Sequence, residues 1–347
     1  MKKGVLLVLV LAMLATLLGG CSSAAKPTLR LYQWADYIDE SLLPEFEKEF
    51  NCNVKVEYFS SNEDMYVKVK SNPSAYDLTV PSEYMVERMM NEGLLAELNH
   101  DNIPNLKYIM PKFNEMPIDS ERKYSVPYLW GTMGFVYDPE KTDFPGDSWG
   151  VLFENTYDKD MLMLDQVRDD IGAALLYLGY DINTQDKAQI DEAKELLKAQ
   201  KPHVLAYVVE DVQDKMVAGE ASVAMCWSGD AMIMKETRPE LEYVIPKEGT
   251  NMWWDSFVIL KDSPNKELAE KFINFMNEPD NAVRNALEAG YAAAHTSVPD
   301  GSPEWMKGDP CAYPTEEMME SFVVMRDTSK ELLQYYDDAW MEIKMGN

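Results

Sequence analysis

The sequence lacks several signatures by which enzyme chemistry is usually read. It has no H-E-x-x-H zinc helix, no P-loop and no G-x-G-x-x-G dinucleotide turn. Only three histidines occur, His100, His203 and His295, and their scatter gives no metal-ligand spacing. Four cysteines (Cys21, Cys52, Cys226, Cys311) include no C-x-x-C pair, which excludes the usual zinc and dithiol redox motifs. After Cys21 the remaining three are far apart and odd in number, so packed, reduced thiols are expected. There is no internal repeat, low-complexity tract or long Pro/Gly linker. Positive charge is scarce as well. Asp and Glu number 60 against 32 Lys and Arg, a net charge of −28. Nucleic acid and anionic lipid surfaces are poor partners for such a chain, whereas a cationic ligand suits it.

The one long apolar run lies at the start. Lys2 and Lys3 precede Val5 to Leu18, a run of 14 broken only by Thr16. That is the length of an export-signal core and too short to cross a bilayer, which takes about 20 residues. Gly19-Gly20-Cys21 follows. Small residues directly before a cysteine resemble the lipobox of bacterial lipoproteins, in which the thiol is acylated. Residues 1–20 are therefore expected to be a signal peptide, Cys21 a lipidation site, and residues 21–27 a polar tether. Without Lys2 and Lys3 the net charge becomes −30.

About 320 further residues are enough for two cores. Leu29 to Trp34 reads as a strand, and Ser41 is placed to cap a helix carrying Leu43, Phe46 and Phe50. Strand 53–58, helix 62–71, strand 77–80 and helix 83–91 follow. This β-α-β-α-β start predicts a mostly parallel sheet. Ser125 to Tyr137 and Met252 to Leu260 read as extended crossovers, and Ala221 to Trp227 as a strand. Asn183-Thr184 is predicted to cap a helix through Leu197. Further helices are predicted around Leu268–Met276, ending at Pro279, and over 332–343. Two α/β lobes joined by extended crossovers accommodate this order.

One combination recurs: an aromatic beside a carboxylate. Trp34-Ala35-Asp36-Tyr37 follows the first strand, Trp227-Ser228-Gly229-Asp230 follows another, and Trp253-Trp254-Asp255 lies in the late crossover. Tyr84 follows Pro81-Ser82, and Tyr291 follows Gly290. In open α/β sheets ligands bind at the carboxyl ends of strands, so these groups are expected to converge on one cleft. Their chemistry fits an alkyl diamine. Ring faces cover the methylenes and attract each ammonium by roughly 0.5–2 kcal/mol. Desolvating an ammonium costs several kcal/mol unless a carboxylate meets it.

From about Leu29 to Ile343 the chain resembles the spermidine/putrescine-binding proteins of bacterial polyamine importers. The strongest blocks are Tyr32-Gln33-Trp34-Ala35-Asp36-Tyr37, Tyr76 to Ser82, Tyr124 to Gly131, Gly219 to Trp227, Pro246 to Gly249 and Trp253 to Ser256. The resemblance implies a type 2 periplasmic-binding-protein fold, two lobes with a double-crossover hinge. The lobes would be residues 28–133 with 254–300, and 134–253 with 301–347. It also implies that Trp34, Asp36, Tyr37, Ser82 and Tyr84 contribute to the pocket. Asp169 would take a terminal amine, Trp227 and Trp253 would wall the ligand, and Asp255 would be the central carboxylate. Asp230 matches a carboxylate of putrescine-selective relatives, and Tyr291 a late pocket tyrosine. Gln166, Met325 and Ala292-Ala293-Ala294-His295 depart from the family pattern and lean toward putrescine.

The expected function is capture of a polyamine, putrescine or spermidine, by a monomer held at the outer face of a cell membrane. No cofactor or metal is expected. The partners implied are an ABC permease and its ATPase. Rival readings keep the fold but change the ligand to a cationic amino acid, a sugar, or iron bound through Tyr335-Tyr336. A lipoprotein hydrolase or an adhesion protein fits less well.

Overall fold

A computed structural model describes residues 25–35, 37–154, 156–209 and 211–345. Cys21 and Asp36 lie outside the described residues.

Three strands open the chain: β1 (Thr28–Trp34), β2 (Asn53–Phe59) and β3 (Leu78–Thr79). β1 pairs parallel with both β2 and β3, as the alternating start requires. The intervening helices are Leu42–Phe50 and Asn62–Ser71. Ser61 caps the second, its hydroxyl accepting the Asp64 amide at 3.2 Å. Ser41 stands at the N-cap of the first but its side chain caps nothing there; the Asp39 carboxylate takes the Ser41 amide at 2.9 Å instead.

β4 (Ser125–Tyr137) and β9 (Thr250–Ile259) are the long strands, buried along almost their whole length. They pair antiparallel, with a register shift between Pro127 and Trp130. Between them in sequence come β5 (Met161–Leu164), β6 (Ala206–Val208), β7 (Val223–Trp227) and β8 (Glu242–Val244). The strand order is β2-β1-β3-β9-β4-β7-β5-β6, with β8 added to β4. β5 is parallel to β6 and β7, while β4 runs antiparallel to β7.

The buried apolar residues fall into separate clusters. One runs from Leu29 to Trp130 and resumes from Met252 to Val298. The others take Met133 and Phe135, the residues of β5 to β8, and part of the C-terminal segment. β4 passes from one cluster to the next between Trp130 and Met133.

Two predicted caps shift. The helix through Leu197 is Lys187–Gln200 and is capped by Asp186, whose carboxylate accepts the Ala188 amide at 2.9 Å. Asn183 instead ties down a distant segment, donating to the Val324 carbonyl at 2.9 Å and accepting the Arg326 amide at 2.8 Å. Pro279 does more than stop the helix Lys266–Met276: it opens the next one, Pro279–Ala289, at a position that needs no amide hydrogen. Cys52, Cys226 and Cys311 are buried and unpaired.

Candidate functional site

Asp255 lies on β9, 4% exposed. Its carboxylate accepts two short hydrogen bonds, from the Tyr37 and Ser82 hydroxyls, each at 2.6 Å. Ser82 and Asp255 also form an isolated antiparallel bridge, so the start of the helix Glu83–Asn91 is pinned to β9. Asn62 holds Ser82 from the other side, its amide donating to the Ser82 hydroxyl at 2.9 Å.

Aromatic rings close around this carboxylate. Tyr291 meets Tyr37 edge-on at 5.6 Å and Trp253 edge-on at 5.5 Å. Tyr37 also meets Tyr128 at 5.7 Å, and the Tyr128 hydroxyl donates to the Tyr37 carbonyl at 2.7 Å. The Trp253 indole N–H is buried with no hydrogen-bond partner among the described residues. Two glycines make this packing feasible. A Cβ on Gly229 would lie 1.9 Å from the Tyr291 ring, and one on Gly131 would lie 2.7 Å from Trp253.

Gly229 opens the helix Ser228–Thr237, whose third residue is Asp230. Asp230 is buried and accepts from the Trp227 amide at 3.2 Å and the Gln213 side chain at 2.8 Å. Asp169 stands at the third position of another helix, Val167–Tyr177. It is hydrogen-bonded by Asn251 and Trp227. Trp227 thus bridges the two carboxylates: its backbone serves Asp230 and its side chain Asp169.

Burial pushes Asp169, Asp230 and Asp255 each up to about 6. Hydrogen bonds oppose the shift at all three: Gln213 and the Trp227 amide at Asp230, Ser82 and Tyr37 at Asp255. Arg168 helps lower Asp169, but among the described residues no lysine or arginine acts on Asp230 or Asp255. Desolvation also raises the Tyr37 and Tyr291 hydroxyls far above their usual range. The result is a buried group of carboxylates and ring faces with little positive charge among the described residues around it.

The remaining predicted residues occupy the margins. Trp34 donates its indole N–H to the Val80 carbonyl at 2.9 Å and packs on Phe59 at 4.5 Å. The Tyr84 hydroxyl donates to Glu63 at 3.1 Å, and its ring carries the Arg168 guanidinium 5.7 Å from the centroid. Tyr335 donates to Asp191 at 2.8 Å while its neighbour Tyr336 is buried, so this pair is engaged in packing on the last helix. The same face of the molecule carries a reciprocal pair of ion pairs. Arg88 binds Asp327 at 2.6 Å, and Arg326 binds Glu87, so consecutive residues of opposite sign on one segment meet their opposites on the other.

Sequence reasoning missed Glu83, Gln213 and Asn251; Glu83 stands between Ser82 and Tyr84, which were singled out, while Gln213 and Asn251 carry no charge to mark them. It also passed over Gly146-Asp147-Ser148-Trp149-Gly150, which has the spacing of a G-x-S-x-G nucleophile elbow. That serine is bonded to Glu248. The histidines are engaged elsewhere: His100 with the Arg122 carbonyl, His203 with Asp158 and His295 with the Asn277 carbonyl. None of the three is hydrogen-bonded to Ser148.

The architecture is that of the periplasmic binding proteins, α/β molecules that enclose small solutes. Residues 41–312 match the family model described as bacterial extracellular solute-binding protein, and the chain belongs to that family. It is 33% identical over 328 residues to spermidine/putrescine-binding periplasmic protein 1 of Haemophilus influenzae, covering 93% of this chain and 90% of that protein. The Escherichia coli spermidine/putrescine-binding periplasmic protein is 31% identical, with 92% of each covered. A solved structure described as a putative spermidine/putrescine ABC transporter from Listeria monocytogenes superposes with a TM-score of 0.87 at 37% identity. It covers 93% of this chain and 100% of that one.

Proposed function

We propose that this protein is the substrate-binding component of an ABC importer and captures a polyamine, putrescine or spermidine, for delivery to a membrane permease and its ATPase. The observation that carries the reading is Asp255. Among the described residues it is a buried carboxylate bonded only by hydroxyls, with Tyr37, Trp253 and Tyr291 around it and no cation to neutralise it. An ammonium completes such a site, and the names of the relatives describe polyamine binders. Asp169 and Asp230 are further anchors in this reading, with Trp227 between them and Ser82 and Tyr84 beside them; Trp34 and Asp36 are included on the family resemblance alone.

The action is binding without turnover. Lobes of about residues 28–133 with 254–300, and 134–253 with 301–347, close over the ligand about β4 and β9, shifting an open–closed equilibrium. The passage of β4 between separate apolar clusters supports a hinge there. A screen of the mature domain by thermal shift tests the ligand class. Polyamines raise the melting temperature, while neutral sugars and arginine leave it unchanged; the reverse order sinks the reading.

The protein is exported as a monomer and held by lipid on Cys21, with residues 1–20 removed and 21–27 as tether. The Gly19-Gly20-Cys21 sequence supports this. A tether keeps the binding protein at high local concentration beside its permease. Cys21→Ala is expected to move the protein from the membrane to the soluble fraction with polyamine affinity intact. Retention in the membrane fraction would rule the anchor out.

A further inference from the structure

Glu83 is the first residue of the helix Glu83–Asn91 and is 1% exposed. It makes none of the ion pairs found among the described residues. Its carboxylate accepts the Trp254 backbone amide at 3.1 Å. That amide lies where β4 and β9 change register, between the Pro127–Ser256 and Trp130–Trp254 pairs. A register shift leaves strand amides without their ladder partners, and a buried orphan amide is costly. Ser82, one residue earlier, grips the Asp255 carboxylate at 2.6 Å. Two consecutive residues at one helix start therefore hold two consecutive residues of β9, with Trp253 on the other side of the grip.

We propose that Glu83 is a positioning residue for the ligand cage: its carboxylate caps the Trp254 amide at the register shift and so holds the Trp253 ring and the Asp255 carboxylate facing the bound solute. The inference rests on the polyamine reading for its ligand, though not for its geometry. A carboxylate is a costly choice for a plain structural cap at such depth. Asp255 and Asp169 are close enough for their charges to act on Glu83, and all three are pushed up by burial. Burial and then these two carboxylates push Glu83 itself well above the usual carboxylate range, so what it contributes to the cage is the cap.

Three variants separate the roles. Gln at 83 keeps an oxygen for the Trp254 amide and removes the charge. Asp keeps the charge on a shorter stem, and Ala removes both. Amide exchange at Trp254, followed by NMR in the free protein, needs no ligand. Glu83→Ala is expected to speed that exchange at least about tenfold, with Glu83→Gln near wild type. Calorimetry with spermidine at pH 8 is expected to show Glu83→Ala weakened at least about tenfold and Glu83→Gln by about threefold or less. A role in stability alone would lower the melting temperature of Glu83→Ala and leave its affinity unchanged. Unchanged Trp254 exchange in Glu83→Ala overturns the proposal, as does equal weakening by Gln and Ala. If wild-type protein gives no heat with any polyamine, the ligand reading fails, and the exchange result alone still decides the role of Glu83.

Discussion

Asp255→Asn is expected to weaken polyamine binding by about 2–5 kcal/mol, roughly 30-fold or more, when titrated calorimetrically at pH 8. The loss is large because the ligand ammonium would enter a desolvated site and find a neutral amide. Asn keeps the size of Asp and can still bond the Tyr37 and Ser82 hydroxyls, each of which can donate or accept. The variant is therefore expected to fold. Its free form should be at least as thermostable as wild type at pH 8. Burial raises Asp255 from its ordinary 3.8 to about 6, so its ionised form opposes folding by on the order of 3 kcal/mol. Removing a destabilising charge and destroying binding at once is the mark of a site strained for its ligand. A variant that loses stability yet keeps affinity would assign Asp255 to the scaffold instead.

Affinity should also collapse in mild acid. Asp169, Asp230 and Asp255 each titrate near 6 when the site is empty. Polyamine ammonium groups stay protonated throughout the range, so only the protein changes. A carboxyl with its midpoint at 6 is about nine-tenths protonated at pH 5, and each one that must ionise to meet an ammonium weakens binding about tenfold. Two such groups give about 100-fold between pH 8 and pH 5, and three about 1000-fold. The free protein behaves in the opposite sense. Between 3.8 and about 6 the folded state holds protons at these sites that the unfolded state has released. Their contribution to stability is therefore fully present at low pH and is lost as pH rises through 6. Ligand should restore it. Binding at pH 6 should release protons, seen as a buffer-dependent enthalpy. A pH-independent affinity from 5 to 8 would mean that these carboxylates do not meet the cation.

Much of the scaffold was legible because local signals were strong. Ser61 and Ser82 stand before the helices Asn62–Ser71 and Glu83–Asn91, and both boundaries coincide with the reading. β4 matched because Ser125–Tyr137 is an apolar and aromatic run apart from Ser125 and Thr132. The helix Val167–Tyr177 was missed for the opposite reason. Seven of its residues are buried, Asp170 through Leu176 in succession, so no amphipathic stripe marks it. Asn183 was mistaken for a cap because its true partners lie more than 140 positions away.

The candidate site divides in the same way. The aromatic–carboxylate blocks pointed to Tyr37, Trp253 and Asp255, and the fold brings these three together with Tyr291 and Ser82. Local motifs sufficed there because each block carries its own ring and carboxylate side by side in sequence. Glu83 stands beside Tyr84 in sequence, but nothing local gives its role. Its meaning depends on an amide 171 positions away, exposed by a register shift that no residue pattern reveals. Trp34 shows the converse limit: a tryptophan beside a carboxylate in sequence spends its indole N–H on the Val80 carbonyl.

The central claim is that buried carboxylates and rings around Asp255 form a cage for a polyamine. Calorimetric titration of the purified mature domain with spermidine and putrescine at pH 8 tests it most directly. The expected result is saturable one-to-one binding of at least one of them at micromolar or better affinity, about −8 kcal/mol, abolished or severely weakened by Asp255→Asn. No heat with either amine, or equal affinity in wild type and Asp255→Asn, would contradict it.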